Sequence, residues 1–475
     1  MYFALSIEKQ LFMNFEMEKN YHYIAIIGGS IAGSEAASLL AQKGFKIIVF
    51  EMNKLPYGKV EDGLPNWHIN LRNRQIKEID AKLDHPNVIY VPLTKIGDNI
   101  SFFDLFENWG FSAIILANGS WVDRKLSVRS IEKFRDRELI YQNSFINWFN
   151  HKHEPNFNGQ NYFLDGKVVV IGGGLASLDV IKIAMIELVR KQLYLLKNIK
   201  VDRFLLEKSG IKNVLDKYQI TLEDLKVQKA VLVYRRSARD MPLKLPKDKS
   251  NKSVLESKKV SEKLHLKYAD KYMFEFIPKS ILIDYEEEDD KLKRLCFQKV
   301  EIVNGLIKEL ENEIVKLNVD FVISSIGSLP EKIDGLKYEN SLLKLEGFST
   351  YKIEGFRNVF AIGNAVTGKG NIQVSKKQGK KITSLIMEKH LSNDQLEEWL
   401  ENYNKKLRTE TNEIGISIAE EIKKLPIVSN SKNIIKNVES IYKKIGYSTY
   451  KNWIYAYLPV RLEDILKNKT DCKCE

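Results

Sequence analysis

A chain of 475 residues, 44% hydrophobic and 29% charged, exceeds what one hydrophobic core serves, so about two globular domains are expected. Its three cysteines, Cys296, Cys472 and Cys474, exclude a disulfide scaffold, a four-thiolate iron–sulfur cluster held by this chain alone and a Cys-x-x-Cys relay, and they fit a reducing, cytoplasmic compartment. A formal charge of +12 is spread along the whole chain; no nucleic-acid motif and no membrane span of ~20 apolar residues accompanies it.

Glu8, Lys9, Glu16 and Glu18 interrupt residues 1–20, which therefore do not read as a secretory signal. The apolar run Tyr23–Ile27 breaks at Gly28, and a helical pattern follows over 35–42: strand, turn, helix. A second strand, Lys46–Phe50, ends at Glu51 and opens into a Pro/Gly-punctuated loop over 55–65. The strand Ala113–Leu116 ends in Ala117-Asn118-Gly119. The same grammar restarts with a β-branched run over 167–171, a glycine turn and an amphipathic helix over 177–189. A helical insertion of about 40 residues, patterned over 201–225, exceeds an ordinary crossover. Strands are expected over 230–234, 272–277, 296–302 and 321–324, with a charged turn over 286–293. A last strand, 358–362, opens into Gly363-Asn364 and the Gly368-Lys369-Gly370 turn, with a helix from about Ser375. From about 391 the pattern is charged and helical, with an aromatic cluster at Tyr450, Trp453, Tyr455 and Tyr457.

Two of these turns carry chemistry. Gly28-Gly29-Ser30-Ile31-Ala32-Gly33 lies between a strand and a helix, the context of a dinucleotide fingerprint, and Glu51 closes the next strand. Gly28 permits the tight turn and Gly33 lets the helix pack close to the sheet. The helix start, with Ala32 in its first turn, offers unpaired amides to a pyrophosphate, and Glu51 accepts from a ribose. Ser30 replaces the middle glycine; its hydroxyl can donate to a phosphate, and the competing reading is a turn that binds nothing. Gly172-Gly173-Gly174-Leu175-Ala176-Ser177 keeps two glycines and replaces the third by a small residue. The following strand ends in Arg235-Arg236 rather than in an acid. A 2′-phosphate needs cations there, so NADP(H) is favoured over NAD(H), against the reading of two solvated strand-end charges.

Over about residues 22–385 these features resemble the FAD- and NADP-dependent reductases typified by adrenodoxin reductase and the glutamate synthase small subunit. Pro56-Tyr57-Gly58, continuing through Lys59, Val60 and Gly63 to His68, is similar to that family's proline-aromatic-glycine loop and the histidine beside its flavin. Ala117-Asn118-Gly119 looks like the turn where the chain passes between flavin and nicotinamide domains. Tyr234-Arg235-Arg236 through Asp240-Met241-Pro242 is similar to the NADP strand, and Ser325-Ile326-Gly327 before Pro330 to the glycine-proline turn. Val359-Phe360-Ala361-Ile362-Gly363 looks like the closing flavin motif, with Asn364 where relatives carry an acid or a tryptophan.

The resemblance implies an α/β fold of two Rossmann-like domains. The FAD-binding domain is discontinuous (21–125 and 340–390) and the NADP-binding domain spans 126–339 with the insertion at about 195–229. An N-terminal extension (1–20) and a helical C-terminal extension (391–475) flank them. It implies FAD contacts from Gly28, Ser30, Ala32, Gly33, Glu51, Lys59, Gly119, Gly363, Asn364, Asn371 and Ile372. NADP contacts are implied from Gly172, Gly174, Leu175, Ala176, Arg235, Arg236 and Gly370, and no metal site is expected. His68 is the one candidate catalytic group, a proton donor near the flavin, with a structural hydrogen-bonding role as its rival. The activity implied is hydride transfer from NADPH to FAD and electron delivery to an acceptor, an acidic ferredoxin-like carrier or flavodoxin. One alternative is an electron-input subunit of a larger complex, docked through the insertion and the tail aromatics. Another is a non-catalytic dinucleotide-binding protein. The extension, the insertion and the Cys472-Lys473-Cys474 tail have no counterpart in the family.

Overall fold

The computed structural model describes residues 21–244, 246, 248, 250–303, 306–347, 351–367, 393–427 and 431–471; the expected contacts Gly370, Asn371 and Ile372, the helix from Ser375, residues 1–20 and the Cys472-Lys473-Cys474 dithiol lie outside them. Runs of apolar, largely β-branched residues form parallel strands covered on both faces. β1 (Tyr23–Ile27), β2 (Lys46–Phe50), β3 (Val88–Val91) and β4 (Ala113–Leu116) come first. The short β5 (Val122–Asp123) leads to β6 (Leu139–Tyr141), β7 (Val168–Gly172), β8 (Val231–Val233) and β9 (Glu275–Ile277). Then β10 (Ser280–Glu288), β11 (Lys291–Val303) and β12 (Leu306–Asn318) make a separate antiparallel sheet. β13 (Phe321–Ser325) is followed by β14 (Ser328–Leu329), by the pair β15 (Tyr338–Glu339) and β16 (Leu342–Leu343), and by β17 (Val359–Ala361).

The first parallel sheet has the order β17-β4-β1-β2-β3 and the second β6-β13-β7-β8-β9. In each, the strand before a glycine turn is central, and the chain leaves it in one direction and returns on its other side. That is a topological switch point, where open α/β sheets leave a crevice beyond the carboxyl ends of their strands. β17 pairs with β4 although the whole second sheet lies between them in sequence, and β5 pairs with β14 where the chain crosses between the sheets.

The structure departs from the sequence expectations in specific places. The helix expected over 177–189 spans Leu175–Lys197, and the insertion resolves into two short helices, Arg203–Ser209 and Ile211–Tyr218. Helices Ile69–Leu83 and Asn251–Tyr272 were not foreseen; the second ends where a strand was expected, with Met273 in the left-handed region at φ +57°. The expected charged turn 286–293 is mostly strand, because Asp289 and Asp290, at φ +52° and +56°, turn the chain within two residues. β12 escaped notice because none of its residues is buried, so no apolar alternation marks it.

The C-terminal extension is helical over Asn393–Lys423, Ser431–Ile445, Tyr450–Tyr457 and Leu462–Asp471. It packs on the first unit: Ile418, Ala419 and Ile422 join the core of Leu40 and Ile115, and Ile434 and Val438 that of Phe50 and Leu116. The tail aromatics, expected as docking surface in the subunit alternative, face inward instead. Tyr450 and Trp453 are 8% and 4% exposed, and of the four only Tyr455, at 83%, faces solvent. Among the described residues no helix is long and apolar enough to cross a membrane.

Candidate active site

The first glycine turn is shaped by close approach. Gly28 has φ +100°, and a Cβ there would lie 2.6 Å from the Ala117 carbonyl oxygen; a Cβ on Gly33 would meet the Gly28 oxygen at 1.8 Å. Only glycine fits either position. Ser30 caps the helix Ile31–Gln42 without a side-chain bond to its amides, because its hydroxyl donates to the Tyr57 carbonyl at 3.0 Å. That hydroxyl ties the turn to the Pro56-Tyr57-Gly58 loop, and the first-turn amides stay available for an anion. Glu51 is buried, and its two oxygens accept from the Gly29 and Asn53 amides at 2.9 and 3.0 Å. Burial pushes its carboxyl up to about 6 against the lowering effect of those amides.

The second turn is held by its replacement residue. Ser177 Oγ accepts from the Gly174 amide at 3.3 Å and lies 3.0 Å from the Ser325 carbonyl and 3.1 Å from Ser325 Oγ, joining the helix start to β13. Tyr234 packs over Gly173, where a Cβ would meet its ring at 2.0 Å. A Cβ on Gly174, by contrast, would meet nothing within 4 Å.

Both turns open onto one cleft of about 1360 Å³. From the first turn and its neighbours Gly28, Ser30, Ala32, Glu51, Lys59, Gly119 and Asn364 line it; from the second, Gly172, Gly174, Leu175, Ala176 and Arg235 do. Gly33 and Gly363 support the wall from behind, a Cβ on Gly363 lying 2.9 Å from that of Ala32. Arg236 does not line the cleft, and its buried Nε has no hydrogen-bond partner. Asn118, named in the turn between the domains but given no contact, lines the cleft too, and its buried Oδ1 lacks a partner; sequence reasoning missed Trp121, Gln142 and Ser328, which line the cleft where the chain crosses between the sheets. Only the crossover brings them there, and no local pattern signals it. Lys59 Nζ donates to Ser328 Oγ at 3.1 Å and lies 5.8 Å from the Trp121 ring. Burial holds its pKa below the usual range, opposed by Asp123.

His68, the candidate proton donor, does not line the cleft. It is 2% exposed, its Nε2 accepts from Trp67 Nε1 at 3.1 Å, and the same atom lies 3.9 Å from Asp179 on the helix Leu175–Lys197. Trp67 inserts into the second unit's core and carries the histidine away from the cleft, so His68 joins the two units. Burial would raise the Asp179 carboxyl, but the buried Lys182 ammonium and His68 hold it below its ordinary value.

A second histidine spans the same junction. His151 lies 3.2 Å from Asp62 and 2.5 Å from Glu154. Burial pushes its pKa down, but the two carboxylates prevail and raise it to about 9. A raised histidine pKa adds stability that is full below the unfolded value of 6.5 and is lost as pH climbs through about 9. On that basis stability falls by on the order of 3 kcal/mol across this window. Melting temperatures of wild type and His151→Gln, measured from pH 6 to 9.5, should converge at the alkaline end; parallel curves would disprove the assignment.

Two parallel sheets, each with a glycine turn at the carboxyl end of its central strand and both turns facing one cleft, define an α/β protein of two Rossmann-like folds. Comparison with known proteins places it further. No family model matches the chain. FprA from Mycobacterium tuberculosis in complex with NADPH superposes with a TM-score of 0.61 at 18% identity, covering 90% of this chain and 91% of that one. A second FprA structure, in which NADP+ is covalently modified, gives 0.62 at 17% over the same shares. At such identity the likeness is one of fold. In sequence, the chain is 30% identical over 172 residues to the NADPH glutamate synthase small chain of Bacillus subtilis, 34% of this chain and 32% of that one. It is 28% identical over 162 residues to a probable ferredoxin/ferredoxin–NADP reductase of Mycobacterium tuberculosis, 34% of this chain and 27% of that one. The matched stretch spans about a third or less of the length of these relatives. The expected resemblance is thus present in fold, over nine-tenths of the chain, and in sequence over about a third of it.

Proposed function

We propose that this chain is a cytoplasmic flavoprotein oxidoreductase that holds FAD over the first glycine turn and NADP(H) over the second, and that delivers electrons to an acidic ferredoxin-like protein or flavodoxin. The observation that carries the reading is the single cleft shared by both turns. Its 1360 Å³ exceeds the ~300–1,000 Å³ of an ordinary one-ligand pocket and leaves room for two dinucleotides end to end. The residues fit those groups. The space over Gly174 is open, the amides at the start of Ile31–Gln42 are uncapped, and the buried Asn118 Oδ1 awaits a donor.

Bound FAD supplies a ring that takes hydride from the nicotinamide and gives up electrons to the acceptor. The chain contributes position and electrostatics. The two helix starts hold the pyrophosphates, Glu51 takes the adenosine ribose, and Arg235 clasps the 2′-phosphate. Asn364 and Gly119 close the wall beside the flavin. Lys59 sets a cation where the two halves meet, which favours whichever group there gains negative charge. His68 braces the units from behind the cleft. The +12 net charge supports an acidic partner through steering. The match to a glutamate synthase small chain supports the second acceptor class, a larger enzyme complex.

Mixing the purified protein anaerobically with NADPH should bleach its flavin absorption within seconds and NADH should do so far more slowly. A protein that stays colourless when offered FAD would refute the reading in favour of a binding module without redox chemistry.

A further inference from the structure

None of the described tail residues lines the cleft, yet the tail grips the loop that enters it. Trp453 Nε1 donates to the Lys54 carbonyl at 2.7 Å, at the start of that loop. The Tyr450 hydroxyl donates to Asp80 Oδ1 at 2.7 Å, and the same carboxylate accepts from the Tyr57 hydroxyl at 3.1 Å, so the tail and the loop's aromatic residue share one acceptor. At the loop's far end Arg461 donates to Glu61 through its two terminal guanidinium nitrogens, Nη2 lying 2.8 Å from Glu61 Oε2. Glu463 pairs with Arg72 just beyond.

Between these anchors the chain has little freedom. Gly58, at φ +52°, backs onto Ser30, a Cβ there lying 2.9 Å from its hydroxyl oxygen, and Ser30 in turn holds Tyr57. Gly58, Lys59 and Val60 are the residues between Lys54 and Glu61 presented to the cleft, followed by Gly63 and Leu64. Glu61, directly next to Val60, is buried, with a side chain 9% exposed, and Arg461 is 17% exposed. A pair so far withdrawn from water holds its geometry, and loss of one partner strands the other's charge.

We propose that the C-terminal extension is an intramolecular clamp on the flavin loop. Tyr450, Trp453 and Arg461 are positioning residues that set how tightly the first site holds its dinucleotide without touching it. The clamp fixes the loop at Lys54, Tyr57 and Glu61, and the stretch between those points forms the wall of the site. The inference rests on FAD occupying the first turn.

The test uses the full chain as wild type, Arg461→Ala, Arg461→Lys, the charge swap Glu61→Arg/Arg461→Glu, and Tyr450→Phe, which removes one hydroxyl and keeps the ring. FAD and NADPH dissociation constants are measured by titration of the flavin-stripped proteins, together with the bound-flavin spectrum and the melting temperature. Arg461→Ala should weaken FAD by roughly tenfold or more, the loss of about one charge-assisted bond, and shift the flavin spectrum, with NADPH affinity within about twofold of wild type on the same scale. Lysine and the charge swap should recover part of the loss. Tyr450→Phe should weaken FAD in the same direction and decides the matter if Arg461→Ala does not fold. Unchanged FAD affinity in these variants, or equal loss of both nucleotides in step with the melting temperature, would overturn the clamp alone. A wild-type protein that binds no FAD would overturn the flavin reading and the clamp with it.

Discussion

With Arg235 and Arg236 both replaced by alanine, KM for NADPH should rise roughly 100-fold, while that for NADH changes by less than about threefold, as expected when two charge-assisted hydrogen bonds of about 1.5–3 kcal/mol each are lost to one ligand only. Arg235 follows β8, which pairs with β7, so a phosphate carried on the adenosine ribose of a nucleotide anchored at Gly172–Gly174 would fall within its reach. Arg235 lines the cleft. Arg236 lies behind it, and its buried Nε has no hydrogen-bond partner. Arg235→Ala alone should therefore carry most of the loss. Neither residue belongs to a hydrophobic core, so stability should hold within ~0.5 kcal/mol. Equal weakening of both nucleotides in steady-state kinetics would refute 2′-phosphate recognition.

How legible this site was depended on whether the chemistry was local. Gly28, Gly33 and Glu51 could be read because strand, turn, helix and acid follow one another in the chain, and their spacing states the geometry. The same locality gave the second turn and Arg235. His68 was left between a catalytic and a structural role because its position after a glycine loop says nothing of where its ring turns. Trp67, a large apolar residue, had a core to enter, and it took the neighbouring histidine with it. Trp121 and Ser328 were invisible for the opposite reason: they meet only where β5, just after Trp121, pairs with β14, which begins at Ser328 about 200 residues later. The tail deceived through composition. Aromatic residues among charges suggest a docking face, but Tyr450 and Trp453 each carry a polar tip that finds an acceptor inside, Asp80 and the Lys54 carbonyl, which lets them be buried.

Gly174→Val should leave the fold intact and abolish most nucleotide binding, and this contrast separates ligand-facing glycine from structural glycine. At Gly172 a Cβ would lie 2.3 Å from both Ser177 Oγ and the Ser325 carbonyl, so any side chain there forces the turn away from β13 and the fold suffers first. At Gly174 the backbone is extended, at φ −93° and ψ 179°, a conformation open to any residue, and a Cβ meets nothing within 4 Å. The protein itself has no need of glycine there beyond a helix cap, whose loss costs about 1 kcal/mol. What does need it is a pyrophosphate brought against the backbone. The first turn carries Ser30 at the equivalent place, but Tyr57 draws that hydroxyl aside; the open space beside Gly174 supplies no acceptor for such a detour. Valine should therefore raise KM for NADPH by ~100-fold or more, about 3 kcal/mol of lost binding, with the melting temperature lowered by only a few degrees and the flavin still bound. If NADPH reduces this variant as readily as wild type, the nucleotide does not lie over the second turn, and the electron donor must enter the cleft by another wall.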